Sequence, residues 1–219
     1  MKRIFVFAVF LAMSFFGISQ TLDKLNKTVI GGLDEVAPFK EGLAAVRKGN
    51  EWGFIDKEGN LVIDFRNDIL WNREASNVAG VSSLRYPEFK EGMCIILKMT
   101  DEGIPLYGFI NNKGEMVIEP QFVNITPFEN GYAVGIYGKK TFRGKNEFQL
   151  DIYDYSFTEV VVNKDGEIVL PVQERFNIMM SKNRYKLPEL MAKILSNDLL
   201  AVKGNDNQWK LIKVELNGN

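Results

Sequence analysis

Two stretches of the sequence share one pattern and decide the fold: WGFIDKEGNLVI at 52–63 and YGFINNKGEMVI at 107–118. In each, alternating large residues are followed by Asp or Asn, then a Gly three positions later, then a β-branched run. Alternation and β-branched residues favour strands. Asp or Asn can bond the backbone two residues on, and Gly accepts a positive φ, as a type I turn with a G1 bulge requires. Each stretch therefore predicts a β-hairpin.

Further copies of these elements lie on both sides. An F-x-x-G element followed by an apolar run occurs at 39–46, 89–96 and 128–134, and the turn recurs at 163–166. A weak copy of two strands occupies 199–202 and 209–212. We therefore expect three-stranded antiparallel units at about 33–65, 89–122 and 128–172, with a degenerate unit at 197–216. A lone unit cannot bury its apolar face, so the units should stack into one all-β domain over 20–219.

The repeated residues have predicted structural roles. Residues two apart in a strand share a face, so Trp52 and Phe54 should point to the same side, and so should Tyr107 and Phe109. The intervening Gly53 and Gly108 indicate a bulge or a close approach of backbone. The turn glycines Gly59, Gly114 and Gly166 should have positive φ. Pro120 and Pro171 should end the third strands.

These motifs resemble the WG-repeat family, also called KWG repeats, which is widespread in bacteria and includes exported proteins of Bacteroidota. The resemblance covers most of 33–135, part of 158–172 and, more weakly, 197–213. It departs from the family pattern at Tyr107, which stands for Trp, at Asp64-Phe65, which replaces Glu-Pro, and at Lys210, which replaces Gly. The resemblance implies an all-β array of hairpins or three-stranded units, with no established catalytic residues and no defined ligand.

The first nineteen residues have the three parts of a secretory signal peptide. Lys2 and Arg3 precede an apolar run of about 13 residues, shorter than the roughly 20 that span a bilayer. Small residues then lead to a predicted cleavage between Ser19 and Gln20. We expect an exported protein, periplasmic or extracellular, whose mature form is not transmembrane. An uncleaved N-terminal anchor is the alternative.

Three insertions interrupt the repeat at 66–88, 137–157 and 173–196. The second, basic and then acidic and aromatic, predicts an extended hairpin that turns near 143–146. The third predicts a short helix over 187–195, with Pro188 near its first turn and apolar residues at helical spacing.

Loops on a rigid scaffold carry function more often than the scaffold does, so the insertions hold the candidate binding residues. These are Trp71, Tyr86, Lys139, Lys140, Phe142, Arg143, Tyr153 and Tyr155. One hypothesis is a non-enzymatic scaffold that presents these loops to a protein of the cell envelope. Another is carbohydrate binding through Trp71, Tyr86, Tyr153 and Tyr155. The structural alternative is an extra hairpin that merely extends the sheet, with Trp71 and Tyr86 in a satellite core.

Composition excludes much chemistry. The 219 residues hold no His and one Cys, which excludes Ser-His-Asp and Cys-His catalysis, His-liganded metals and an intramolecular disulfide. With 27 Lys and Arg against 28 Asp and Glu, a nucleic-acid surface is not expected. Cys94, in an apolar run, should be buried and inert. We expect no enzyme, no metal and no cofactor, and a carboxylate-pair hydrolase is the least favoured reading.

Overall fold

The computed structural model describes residues 28–204 and 206–216. The predicted signal peptide and the cleavage site at Ser19 and Gln20 lie outside the described residues. Residues 28–33 form no helix or strand, and the described chain from Asp34 onward forms one compact unit.

That unit is built from thirteen antiparallel strands. They are β1 (Glu35–Val36), β2 (Ala44–Lys48), β3 (Glu51–Ile55), β4 (Leu61–Arg66), β5 (Met93–Met99), β6 (Pro105–Asn111), β7 (Met116–Ile125), β8 (Tyr132–Lys145), β9 (Asp151–Asn163), β10 (Ile168–Arg175), β11 (Ala192–Ser196), β12 (Leu199–Lys203) and β13 (Trp209–Lys213). They form three sheets, ordered β1-β2-β3-β4, β10-β9-β8-β7-β6-β5 and β11-β12-β13. The all-β prediction is confirmed.

Each predicted trio of strands gains a short lead strand that the sequence analysis did not anticipate. β1 pairs with β2, Ile69 bridges to Ile96 of β5, and the end of β7 pairs with β8. The last of these pairings joins the second and third units into the six-stranded sheet. The lead strands are only a few residues long, too short to show a periodic pattern.

The predicted helix over 187–195 is wrong. Among the described residues the only helical element is a 3₁₀ turn at Val81–Ser83. Residues 192–196 form β11, in which Ala192 pairs with Val202 and Ile194 with Leu200. A helix of nine residues is marginal by itself, and strand pairing prevails over it. No helix in the described part of the chain is both long and apolar enough to span a membrane.

The repeated turns form as predicted. Gly59, Gly114 and Gly166 have φ of 83°, 81° and 84°. In the second unit the Asn111 Oδ1 accepts hydrogen bonds from the amides of Lys113 (2.9 Å) and Glu115 (3.0 Å). This Asn side chain therefore closes the turn, and the same bonds recur around Asn163.

Bulges in the third strands explain the glycines of the aromatic-Gly pairs. Tyr107 pairs with Phe122 and Phe109 with Ile118, so β7 carries extra residues opposite Gly108. A Cβ on Gly108 would meet the Ile118 carbonyl oxygen and would lie 2.7 Å from the Pro120 nitrogen. The expectation that Pro120 and Pro171 end their strands is wrong. Both lie within strands next to register shifts, where the missing N–H removes no ladder bond.

A carboxylate ladder joins the first three units. The F-x-x-G elements are tight turns in which Glu41 and Gly42 both have positive φ, as do the pairs at 91–92 and 130–131. The Glu41 carboxylate accepts bonds from the amides of Glu91 (2.6 Å) and Gly92 (2.8 Å). Glu91 in turn accepts one from the amide of Gly131 (2.8 Å). Each unit thus caps the turn of the next.

Aromatic packing follows the same step from unit to unit. Phe89, which opens the second unit, packs edge-on against Phe54 of the first at 4.7 Å. Phe128, which opens the third, packs against Phe109 of the second at 4.8 Å. Trp52, Phe54, Tyr107 and Phe109 are all buried. The repeated aromatics therefore pack from one unit to the next, with Trp52 and Phe54 in one buried cluster and Tyr107 and Phe109 in another.

Candidate binding surface

The 137–157 insertion is a two-stranded hairpin that extends beyond the six-stranded sheet. β8 pairs with β7 only as far as Tyr137, and β9 pairs with β10 only as far as Phe157. Beyond those residues β8 and β9 pair only with each other, out to Lys145 and Asp151. We call residues 138–157 the projecting hairpin. The predicted hairpin is confirmed.

The predicted position of its turn is wrong. The turn spans 146–150, where Asn146 Oδ1 accepts bonds from the amides of Phe148 and Leu150, both at 2.9 Å. This is the repeat turn again, with Gln149 at φ 62° where the repeats have Gly. Gly144 lies at a bulge in β8, because Phe142 pairs with Tyr153 and Gly144 with Ile152, which leaves Arg143 as the extra residue.

One face of the projecting hairpin is aromatic. Phe142 is paired with Tyr153, and their rings meet edge-on at 5.6 Å. The Tyr155 and Phe157 rings stack in parallel at 6.4 Å, because residues two apart share a face. The structure thus brings together Phe142, Tyr153 and Tyr155, three of the predicted binding residues.

Lys140 lies on the same face and is held by a carboxylate that the sequence analysis missed. Its Nζ is 4.3 Å from the Tyr153 ring centroid and donates to Glu102 Oε1 at 2.6 Å. The Tyr155 hydroxyl donates to the same oxygen at 2.9 Å. The Lys140 ammonium holds the pKa of Glu102 down to about 2, and Glu102 raises the pKa of Lys140. Both groups therefore stay charged at neutral pH.

A cavity of about 310 Å³ opens beside this cluster, between the base of the hairpin and the β5–β6 turn. Leu106, Val123 and Met180 line its apolar part, and Lys98 and Asp101 line its polar part together with the Lys140–Glu102 pair. An aromatic wall beside fixed charges can take an amphipathic group, such as a protein side chain or a sugar ring.

The tip of the hairpin is apolar and open. Phe148 is 81% exposed and Leu150 is 63% exposed. Burying two such side chains would contribute about 1.5–3 kcal/mol each. Neither is among the predicted binding residues, because the turn was predicted at 143–146, before both of them.

The opposite face of the hairpin is charged. Lys139 and Arg143, two more predicted residues, lie on it, and Arg143 faces Asp154 at 3.6 Å. Both partners of that pair are mostly exposed, so the pair adds little to stability.

Trp71 and Tyr86 lie elsewhere. Their rings lie 5.6 Å and 6.3 Å from the Trp52 ring, and both side chains are partly buried against the core cluster that contains Trp52. Arg47 lies over Trp71 at 5.5 Å. The structure therefore does not bring Trp71 and Tyr86 into one surface with Tyr153 and Tyr155, and it places them in the satellite core.

The third insertion is anchored by a buried carboxylate. Glu159 in β9 is 0% exposed and accepts bonds from Gln173, Arg175 and the amides of Met191 (2.5 Å) and Ala192 (2.9 Å). Asn124 in β7 donates to the Pro188 carbonyl at 2.7 Å. The segment before β11 is thereby fixed to the main sheet.

The described residues offer little else for chemistry. No three Asp, Glu or Cys side chains in the described part of the chain are grouped as a metal ion would need. Cys94 is buried, and that burial raises the pKa of its thiol to about 12. The thiol therefore stays protonated and unreactive.

Comparison with known proteins identifies a repeat family. The family model of the WG containing repeat matches residues 22–52, 52–66 and 107–134. These matches cover the first-unit hairpin and the Tyr107–Phe109 strand together with the turn that opens the third unit. The chain matches no curated protein, and it matches no solved structure.

Proposed function

Since this chain belongs to the WG-repeat family, we propose that it is an exported, non-enzymatic scaffold of the cell envelope. In this proposal the stacked repeats form the rigid support, and the projecting hairpin is the part that holds a protein partner. Export rests on the signal-peptide pattern at 1–19.

The exposed tip is the observation that carries the proposal. Phe148 and Leu150 lie at the end of β8 and β9, whose outer parts beyond Tyr137 and Phe157 pair only with each other in the described chain. Large apolar side chains at a protruding tip are typical of interaction sites, because apolar surface in contact with water is unfavourable until a partner covers it. The aromatic face and its charged pair would extend the contact toward the sheet.

The test is in-cell crosslinking and co-purification of the tagged full chain from its native host. We expect one stoichiometric protein partner of the envelope, crosslinked to 141–152. The double variant Phe148→Ser/Leu150→Ser should lose that partner and keep its fold. Leu211→Ser is the matched control, since Leu211 is 64% exposed but lies on β13. An unchanged yield of partner with the double variant would refute the proposal.

Carbohydrate binding is the second candidate, and one observation favours it. Tyr153 presents an exposed ring next to Lys140, which lines the cavity together with Glu102 and Tyr155, and an aromatic ring beside charged groups suits a sugar. Titration calorimetry against soluble peptidoglycan fragments would detect it. Micromolar binding that Tyr153→Ala abolishes, with no protein partner recovered, would replace the scaffold by a glycan-binding protein.

Export needs its own measurement. Mass spectrometry of the N-terminus of protein recovered from the periplasm or medium should find Gln20 as the first residue. Protein found only in the cytoplasm with an intact N-terminus would contradict export, whatever the partner.

A further inference from the structure

The outer edge of β9 in the projecting hairpin is an unpaired sheet edge. β10 pairs with β9 as far as Arg175 opposite Phe157, and β9 continues for six more residues to Asp151. No strand of the described chain pairs with that edge between 151 and 156. The β-sheet is therefore one strand short along this segment.

The backbone direction can be read from the turn at the other end of β9. The Asn163 amide donates to the Glu167 carbonyl, and its carbonyl accepts from the Gly166 amide, so both groups point toward β10. Alternation along a strand without a bulge of its own gives the same direction to the amides of Tyr155, Tyr153 and Asp151. Those three amides lack a strand partner, whereas the amides of Ile152 and Asp154 point toward β8.

The chain itself does not close this edge, and it leaves space there. After Arg175 the chain no longer pairs with β9, and Asn177 has a φ of 62°. Arg175 is fixed in place by Glu159 at 2.9 Å and by the Glu189 carbonyl at 2.8 Å. A cavity of about 350 Å³ lies between Tyr155–Thr158 of β9 and Glu174–Ile178 at the end of β10.

The two edges of the hairpin differ in protection. Proteins guard open edges with Lys, Pro or bulges. β8 has such guards: Lys139, Lys140, Arg143, Lys145 and the bulge at Gly144. Residues 151–156 of β9 have no Lys, no Pro and no bulge, and three of the six are Ile152, Tyr153 and Tyr155. Only the β9 edge is left ready to pair.

We infer that the β9 edge takes up an extended segment of the protein partner as an added strand in line with β10. The inference rests on the proposed function and names how the partner binds. On one face the added strand lies beside Tyr153 and Tyr155 and needs apolar side chains. On the other it lies beside Asp154 and, across the cavity, Glu174, and needs basic ones. The partner segment therefore alternates apolar and basic residues.

The probe is the peptide Ac-Val-Lys-Val-Lys-Val-Lys-Val-Lys-NH2, added to the full chain and followed by residue-resolved hydrogen exchange. At a peptide concentration of about ten times Kd, exchange at the Tyr153 and Tyr155 amides should slow by about tenfold. Ile152 and Asp154, already bonded to β8, should change little. No binding at millimolar peptide, or binding that leaves the Tyr153 and Tyr155 amides unchanged, would overturn the inference.

A matched pair of variants separates the edge from the side chain. Tyr153→Pro removes an outward N–H while keeping the bonds to β8, and Tyr153→Val removes the ring but keeps the N–H. We expect the proline variant to bind the peptide with an affinity at least tenfold lower than that of the valine variant. Equal affinities would overturn strand addition.

The outcomes also separate this inference from the proposed function. If Phe148→Ser/Leu150→Ser loses the crosslinked partner while Tyr153→Pro retains it, the scaffold stands and strand addition fails. If both variants retain the partner, both proposals fail. If protection of the Tyr153 amide in the free protein rises with protein concentration, the edge pairs with a second copy of the chain, and the inference of a partner strand is overturned.

Discussion

Replacing Gly108 by Ala tests whether the bulge in β7 is the reason for the glycine of the aromatic-Gly pair. A Cβ there would contact three backbone atoms: the Ile118 oxygen, the Pro120 nitrogen at 2.7 Å and the Glu119 carbonyl carbon at 2.8 Å. Backbone atoms of a paired strand cannot rotate away as a side-chain end can, so β6 and β7 must separate locally.

The structure supplies two comparisons that grade the effect. A Cβ on Gly53 would meet one backbone atom, the Ile63 oxygen at 2.9 Å, and otherwise side-chain ends. A Cβ on Gly138 would meet only side chains, the nearest being Phe157 at 3.2 Å. Overpacking costs about 1–3 kcal/mol, so we expect about 3 kcal/mol for Gly108→Ala, about 1.5 for Gly53→Ala and under about 0.5 for Gly138→Ala.

Urea unfolding followed by tryptophan fluorescence measures the series. With a slope of about 3 kcal/mol/M, the Gly108→Ala midpoint should fall by about 1 M. Gly138→Ala controls for the general effect of Ala in a strand. A Gly108→Ala midpoint equal to that of Gly138→Ala, or above that of Gly53→Ala, would refute the bulge explanation.

Three further predictions concern other parts of the same unit. Gln149→Gly should stabilise the chain by about 1 kcal/mol in urea unfolding, because Gln149 occupies a left-handed conformation that costs a side chain about that much; a loss of stability would contradict it. Glu159→Gln should destabilise by about 3 kcal/mol, because the buried carboxylate accepts four hydrogen bonds; a change under 1 kcal/mol would show that the network is dispensable. The folded pKa of Glu102, about 2, lies below the unfolded value of about 4.3, so its stabilisation is present above pH 4.3 and is lost as the pH falls toward 2. The stability difference between wild type and Glu102→Gln should therefore shrink over that range, and a constant difference would contradict the ion pair with Lys140.

The turns and the repeated strands could be predicted because their causes are local. An Asn that bonds the backbone two residues on, and a Gly with positive φ, are fixed by residues four apart in the chain. The same turn at the hairpin tip was missed because Gln149 stands where the repeats have Gly. There the bonds of Asn146 hold the conformation that glycine eases in the other copies.

The features that could not be predicted depend on residues distant in sequence. Glu102 pairs with Lys140 across 38 residues, and Glu159 reaches the amide of Met191 across 32. The apolar spacing at 187–195 suits a helix, but the pairing of β11 with β12 and the bond from Asn124 to Pro188 require an extended chain there. Trp71 and Tyr86 have the composition of a binding site, and only their contacts with Trp52 place them in the core.

The carboxylate ladder relates the repeats to the projecting hairpin. Glu41 caps the turn of the second unit and Glu91 caps that of the third, where Asn130 stands in place of a third Glu. β8 begins two residues after that Asn, so the last turn capped by the ladder leads into the strand whose outer part forms the projecting hairpin. Lys164, at the far end of β9, also binds Glu91 at 3.1 Å. The inner ends of β8 and β9 are therefore both fixed to the second unit, and the projecting hairpin is the outer continuation of these two anchored strands. Such support is what a binding scaffold needs, because a base that moved would add an entropic cost to each contact made at the tip.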